Sequence, residues 1–198
     1  MEDALSIFLV SGRLYKVHRY LLSQSVAFRD MFTCPPGPNA MVQGETDADP
    51  ITLQGVTQEE FEALLDVFYD SNHDGYSKIT LQQWMHILSI ASVFQFDNIR
   101  ERAIREITKH EPNLDAMQEI ELALKHEVRQ WALEGLAKLL LRPEVLDEDE
   151  ASRLPLGMVV KLWKAREEYV TDKLSRSPHV RLSHRAYVLK HFDGYSFP

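Results

Sequence analysis

The sequence predicts an α+β fold: a short three-stranded sheet capped by helices, followed by an all-helical extension. Three observations carry this expectation. Two short runs rich in β-branched and aromatic residues, SIFLV and RLYKV, flank a Ser-Gly pair near the N-terminus. A third such run, PITLQG, comes after a long segment without periodicity, and from Thr57 onward the apolar residues recur at helical spacing.

Ser11-Gly12 reads as a two-residue hairpin turn, so the first two strands pair directly. In HRYLLSQSVAFRDMF, Tyr20, Leu21 and Leu22 lead to Val26, Phe28, Met31 and Phe32 at helical spacing, and Ser23 and Ser25 mark a break into two short helices. Cys34 to Pro50, with four prolines and two glycines, reads as a long exposed loop before the third strand. Thr57 and Glu60 form a capping-box pattern, with Val56 and Phe61 placed as a hydrophobic staple. Phe61, Leu64, Leu65 and Phe68 then follow the i, i+3, i+4, i+7 pattern of a buried helix face.

A second capping box, Thr80 with Gln83, opens a helix whose apolar face holds Trp84, Leu88 and Ala91 and which ends near Phe96. DNIRERAIREITKH starts at an Asp or Asn cap, buries Ile99, Ala103, Ile104 and Ile107, and pairs Glu101 with Arg105 and Arg102 with Glu106. Pro112 closes it. Further helices are expected over Asp115 to His126, Val128 to Leu141 and Leu156 to Tyr169, with the acidic run DEDE as a connector.

The chain has 198 residues, 44% of them hydrophobic, enough for one sizeable core or two smaller ones. No apolar run approaches the roughly 20 residues that span a bilayer. MEDALSIFLV also lacks the basic region and cleavage site of a signal peptide, so the expected compartment is the cytoplasm and/or nucleus, without a membrane partner. Cys34 is the single cysteine, which excludes an internal disulfide and a cysteine-based zinc site. A net charge of −8 argues against general nucleic-acid binding. From Thr171 onward, however, five basic residues face two acidic ones, and this basic tail is expected to be a solvated terminal segment.

DSNHDGYSKITL, Asp70 to Leu81, resembles the first half of a calcium loop: Asp70, Asn72 and Asp74 alternate, and Gly75 stands sixth. The twelfth place needs a bidentate Glu and holds Leu81; Ser77 stands eighth, where an apolar residue belongs; Thr80 suits a helix cap. A calcium-responsive switch is therefore the disfavoured alternative, and a polar turn between two helices the preferred reading. The 8 histidines show no His-Glu-x-x-His run, and His179, His184 and His191 lack ligand spacing on one helix face. There is no nucleophile elbow, phosphate-binding loop or dinucleotide fingerprint. No catalytic, cofactor-binding or metal residue is expected.

With that element order in hand, VSGRLYKVHRYLLSQSVAFRDMF resembles the opening of BTB/POZ domains, with Val17, His18, Arg19, Leu22, Ser25, Phe28, Arg29, Met31 and Phe32 in register. ITLQGVTQEEFEALLDVFYD resembles that family's third strand and following helix, and LQQWMHILSIASVFQFDNIRERAIREI its closing helix pair. The long Pro/Gly loop and the run around Arg100 to Ile104 look most like the basidiomycete fungal BTB proteins. Trp131, Leu139, Arg142 and Arg166-Glu167 match the helical extension found in them.

The resemblance implies a BTB/POZ domain at 5–110 and a helical extension at 111–170; the basic tail at 171–198 matches nothing in that family. The resemblance also implies a non-catalytic interaction module without cofactors, which oligomerises and/or acts as an adaptor for protein partners: itself, a cullin-type ubiquitin-ligase scaffold or a transcriptional complex. Only MEDALS precedes the first strand, which argues against a strand-swapped dimer. Neither a zinc finger nor a kelch repeat follows. His18, Arg19, Ser25, Phe28 and Arg29 are expected to be structural, and Tyr69, His73 and Tyr76 on the polar turn are the expected partner contacts.

Overall fold

The computed structural model describes residues 4–34, 42–69, 79–109, 114–175 and 183–197. Its chain divides into two compact units, Met1–Glu111 and Pro112–Pro198.

In the first unit, β1 (Leu5–Val10) pairs antiparallel with β2 (Arg13–His18), from Leu5 opposite His18 to Val10 opposite Arg13. The two-residue turn between them puts Ser11 at φ 47° and Gly12 at φ 84°. Positive φ at both central residues is the type I′ geometry, whose twist matches that of the strands, and Gly12 adopts it without a steric cost. β3 (Ile51–Thr52) joins the other edge of β1 in parallel, giving the order β2-β1-β3. As the middle strand, β1 buries Ser6, Ile7 and Phe8 in succession, so it lacks the clean alternation of a half-exposed strand. The described residues before β3 are mostly exposed, as expected of a loop, with one exception. Gly44 is buried, and its carbonyl accepts the Ile7 N–H at 2.8 Å, so the chain is already laid against the sheet there.

Helices α1 (Arg19–Leu22) and α2 (Val26–Thr33) follow the hairpin with the break at Ser23 to Ser25, and α3 (Gln58–Tyr69), α4 (Leu81–Val93) and α5 (Asp97–Lys109) complete the unit. Both predicted capping boxes form: Thr57 with Glu60 before α3 and Thr80 with Gln83 before α4. Phe28 is fully buried at the centre of an aromatic cluster, with ring centroids 5.8 Å from Phe8, 4.8 Å from Phe94 and 5.8 Å from Phe96. Such pairs add to the apolar burial that drives the core. Two details differ from expectation. Asp97 is itself the first residue of α5 rather than a cap before it, and Tyr20, grouped with the buried run, is 62% exposed.

The second unit is helical throughout its described residues: α6 (Ala116–His126), α7 (Arg129–Leu141), α8 (Glu148–Ser152), α9 (Leu156–Ser175) and α10 (His184–Phe192). Gly135 lets α7 cross α6 closely, because a Cβ there would meet the Ala116 carbonyl oxygen and Ile120 Cγ1, each at 2.7 Å. Three sequence expectations are corrected here. The DEDE connector is part of a short helix, since Asp147 and Glu150 form a third capping box. α9 continues past Tyr169 to Ser175. Over its described residues the tail is no solvated segment: Ser183 caps α10, and Tyr187, Val188 and Phe192 are buried in a core with Met158, Leu162 and Leu136.

Candidate protein-interaction surface

His18 ends β2 and Arg19 begins α1, so the two residues turn the chain from sheet to helix. The Arg19 backbone N–H donates to the Ala4 carbonyl, its Nε donates to the buried Ser6 hydroxyl at 2.6 Å, and its guanidinium lies 5.2 Å from the centroid of the Phe32 ring. One side chain thus ties the start of β1 to the end of α2, with cation–π attraction added to a hydrogen bond. Ser25 is fully buried and does double work. Its oxygen accepts the Phe28 N–H at 3.1 Å as the cap of α2, and its hydroxyl donates to the Phe94 carbonyl at the end of α4. Arg29 is exposed on α2.

Of the expected contact residues, Tyr69 is placed at the end of α3, 48% exposed. Its hydroxyl shares a hydrogen bond with His18 Nδ1 at 2.7 Å and accepts the His18 backbone N–H at 3.3 Å. The His18 ring lies 5.8 Å from both the Tyr20 and the Tyr69 rings. Tyr69 is therefore part of a link between the hairpin and α3 as well as a surface residue. His73, Tyr76 and the first nine residues of the calcium-like stretch, 70–78, lie outside the described residues. Its end is described, and there Thr80 caps α4.

Beside this link is a cleft of about 540 Å³ whose walls include Tyr20, Gln24, Phe68, Trp84, Arg102 and Arg105. Phe68 and Trp84 give it an apolar floor; Gln24 and the two arginines supply donors. Such a combination of apolar wall and hydrogen-bond donors is chemically suited to an apolar side chain next to a carbonyl group. Nothing local in the sequence singles out this cleft, because its walls come from α1, α3, α4 and α5. Elsewhere on this unit, Glu62 accepts hydrogen bonds from Arg13 at 2.8 Å and the Tyr15 hydroxyl at 2.9 Å. Partial burial, together with that carboxylate, pushes the Tyr15 phenol above its ordinary pKa.

In the second unit, two residues matched to the extension converge on one connection. Arg142 donates to both Glu150 oxygens, at 2.7 and 2.6 Å, and Arg166 donates to the carbonyls of Leu139, Pro143 and Glu144 at 3.3, 2.5 and 2.9 Å. The planar guanidinium suits both tasks. The Arg142 hydrogen bonds hold Glu150 at a pKa of about 2, well below the ordinary carboxylate range. Glu119 moves the other way: burial pushes its carboxyl up, while its contact with Lys138 opposes the shift.

Among the described residues no group of three or more His, Cys, Asp and Glu side chains is placed to hold a metal ion. Among them, too, no helix is long and apolar enough to cross a membrane. No curated protein matches the chain. A family model described as BTB/POZ domain matches residues 5–111, more than half of the chain, and takes in the hairpin, all three strands, α1 to α5 and the cleft. From the two strands at its start to the closing helix pair, the chain belongs to the BTB/POZ domain family.

Proposed function

We propose that this chain is a non-catalytic adaptor and oligomerisation module working in the cytoplasm and/or nucleus. BTB/POZ domains are in general protein–protein interaction and oligomerisation modules, which bind protein partners, homodimerise and bind cullin adaptors. The family match over residues 5–111 carries the proposal. The partner classes it favours are a second copy, a cullin-type scaffold or a transcriptional complex. Exposed apolar side chains on the first helix pair, Tyr20, Val26 and Met31, support a protein-facing surface, because large apolar groups in water gain most from being covered. Tyr69, His73 and Tyr76 are proposed partner contacts. The likeness of Trp131, Leu139, Arg142 and Arg166-Glu167 to fungal BTB extensions stays part of the same proposal.

Light scattering after size-exclusion chromatography tests self-association directly, with Val26→Glu and Met31→Glu expected to reduce the assembled fraction. A pull-down with a purified cullin N-terminal domain tests the adaptor branch. A chain that stays monomeric at micromolar concentration and retains no protein partner would sink the proposal.

A further inference from the structure

α9 has two apolar faces. One is buried in the second unit through Met158, Leu162 and Ala165. The other runs through Leu156, Val160, Trp163, Glu167, Val170 and Leu174, at alternating spacings of four and three residues along the whole 20-residue helix. That spacing is the seam pattern of a helix paired with another helix. Every one of the six is exposed, with Leu156 at 78%, Trp163 at 66% and Leu174 at 84%. A tryptophan held two-thirds in water on a regular apolar seam is an unusual use of so large a ring.

Two observations define what would cover the seam. The residues flanking it are Lys164 on one side and, on the other, Lys173 and Arg166, whose guanidinium also holds the carbonyls of Leu139, Pro143 and Glu144; three cations against Glu167 in the seam leave the face basic in a chain whose net charge is −8. Trp163 and Arg166 also stand at the edge of a cavity of about 280 Å³, lined further by Leu139, Leu146, Val159 and Leu162. That volume admits one large aliphatic or aromatic side chain next to the seam. A second copy of α9 would bring basic flanks against basic flanks, which disfavours self-pairing.

We propose that the exposed face of α9 docks an amphipathic helix of another protein. That helix carries an apolar stripe at the same spacing, Asp or Glu on both flanks, and one large apolar side chain that enters the cavity beside Trp163. Glu167, the single charged seam residue, sets the register of the pair, as a lone polar seam position does in coiled coils. This site lies outside the family match at 5–111, so it stands independently of the function proposed above.

The test uses the full chain and synthetic helical peptides of about 20 residues, matching the roughly 30 Å of α9. One peptide carries leucines at the seam spacing with glutamate flanks, and a second carries the same leucines with lysine flanks. Trp84 and Trp131 are buried, so a blue shift of tryptophan emission on binding reports on Trp163. Tighter binding of the glutamate peptide by about tenfold or more is expected, with loss of that binding in Trp163→Glu. The double variant Lys164→Glu/Lys173→Glu is expected to reverse the preference. Equal binding of both peptides, or binding of neither, would overturn the proposal. So would light-scattering self-association that Trp163→Glu abolishes, which would assign the seam to a second copy. Self-association lost through Val26→Glu but kept in Trp163→Glu belongs to the BTB/POZ unit and leaves the two proposals distinguishable.

Discussion

The two units place their charged side chains differently. In the BTB/POZ unit an aromatic cluster, Phe28 against Phe8, Phe94 and Phe96, sits within a largely aliphatic core, and ion pairs such as Arg105–Glu101 lie on the surface with side chains 57% and 69% exposed. In the helical unit the core is again mostly aliphatic, but charged side chains reach inward. Arg142–Glu150 is only 30% and 18% exposed, Arg166 clamps three carbonyls, and the Tyr187 hydroxyl donates to buried Asp172 at 2.6 Å. Exposed pairs contribute little, whereas removing one partner of a shielded pair leaves an uncompensated charge and costs more. The contrast lies in where charge is held: ion pairs such as Arg105–Glu101 in the first unit stand in water, whereas Arg142 and Arg166 brace the helix connections of the second.

The largest expected effect lies in the first unit. Phe28→Ala removes the ring at the centre of its cluster and is expected to cost about 3–5 kcal/mol. Hydrogen exchange should then rise across β1 and α2 to α5 and stay unchanged in α6 to α10. Next comes Arg166→Met, which keeps the aliphatic stem but leaves the carbonyls of Leu139, Pro143 and Glu144 without their donor. A loss of about 2–3 kcal/mol, confined to the helical unit, is expected in chemical denaturation followed by exchange. An equal loss in both units would break the comparison.

A pH titration sharpens the contrast. Glu150 has its carboxyl held down to about 2 from 4.5 by Arg142. Its contribution is therefore complete above the ordinary carboxylate range and disappears as pH falls from about 4.5 toward 2. Melting of the helical unit should drop over that window, and Glu150→Gln should remove part of the drop. The smallest effect belongs to Arg105→Gln, which breaks only a surface pair of 3.8 Å on α5 and is expected to change stability by less than about 0.5 kcal/mol.

Most of the BTB/POZ unit was legible because its signals are local. Ser11-Gly12 marks a hairpin by backbone chemistry alone, and Thr57-Glu60 and Thr80-Gln83 announce helix starts within four residues. The helical unit was harder to read for two reasons. Asp147 and Glu150 carry the same capping signature, but inside an acidic run that reads as solvated charge. In α10 the buried Tyr187, Val188 and Phe192 alternate with Arg185, Lys190 and His191, so composition conceals a core face. The links across long separations, Tyr69 to His18 over 51 residues and Arg166 to Leu139 over 27, leave no trace in any short window. The cleft and the cavity arise only when distant helices meet.

The central position of β1 also has a kinetic consequence. Its partnership with β2 closes across two residues, and such hairpins form in microseconds. Its partnership with β3 brings Phe8 beside Ile51 and must first close the long excursion between them, an entropic cost met before the pairing returns anything. β1 is therefore expected to spend the early part of folding with one edge paired and the other open. Because β3 contributes only two residues, that open edge is the last piece of the sheet to be sealed and the first to be released.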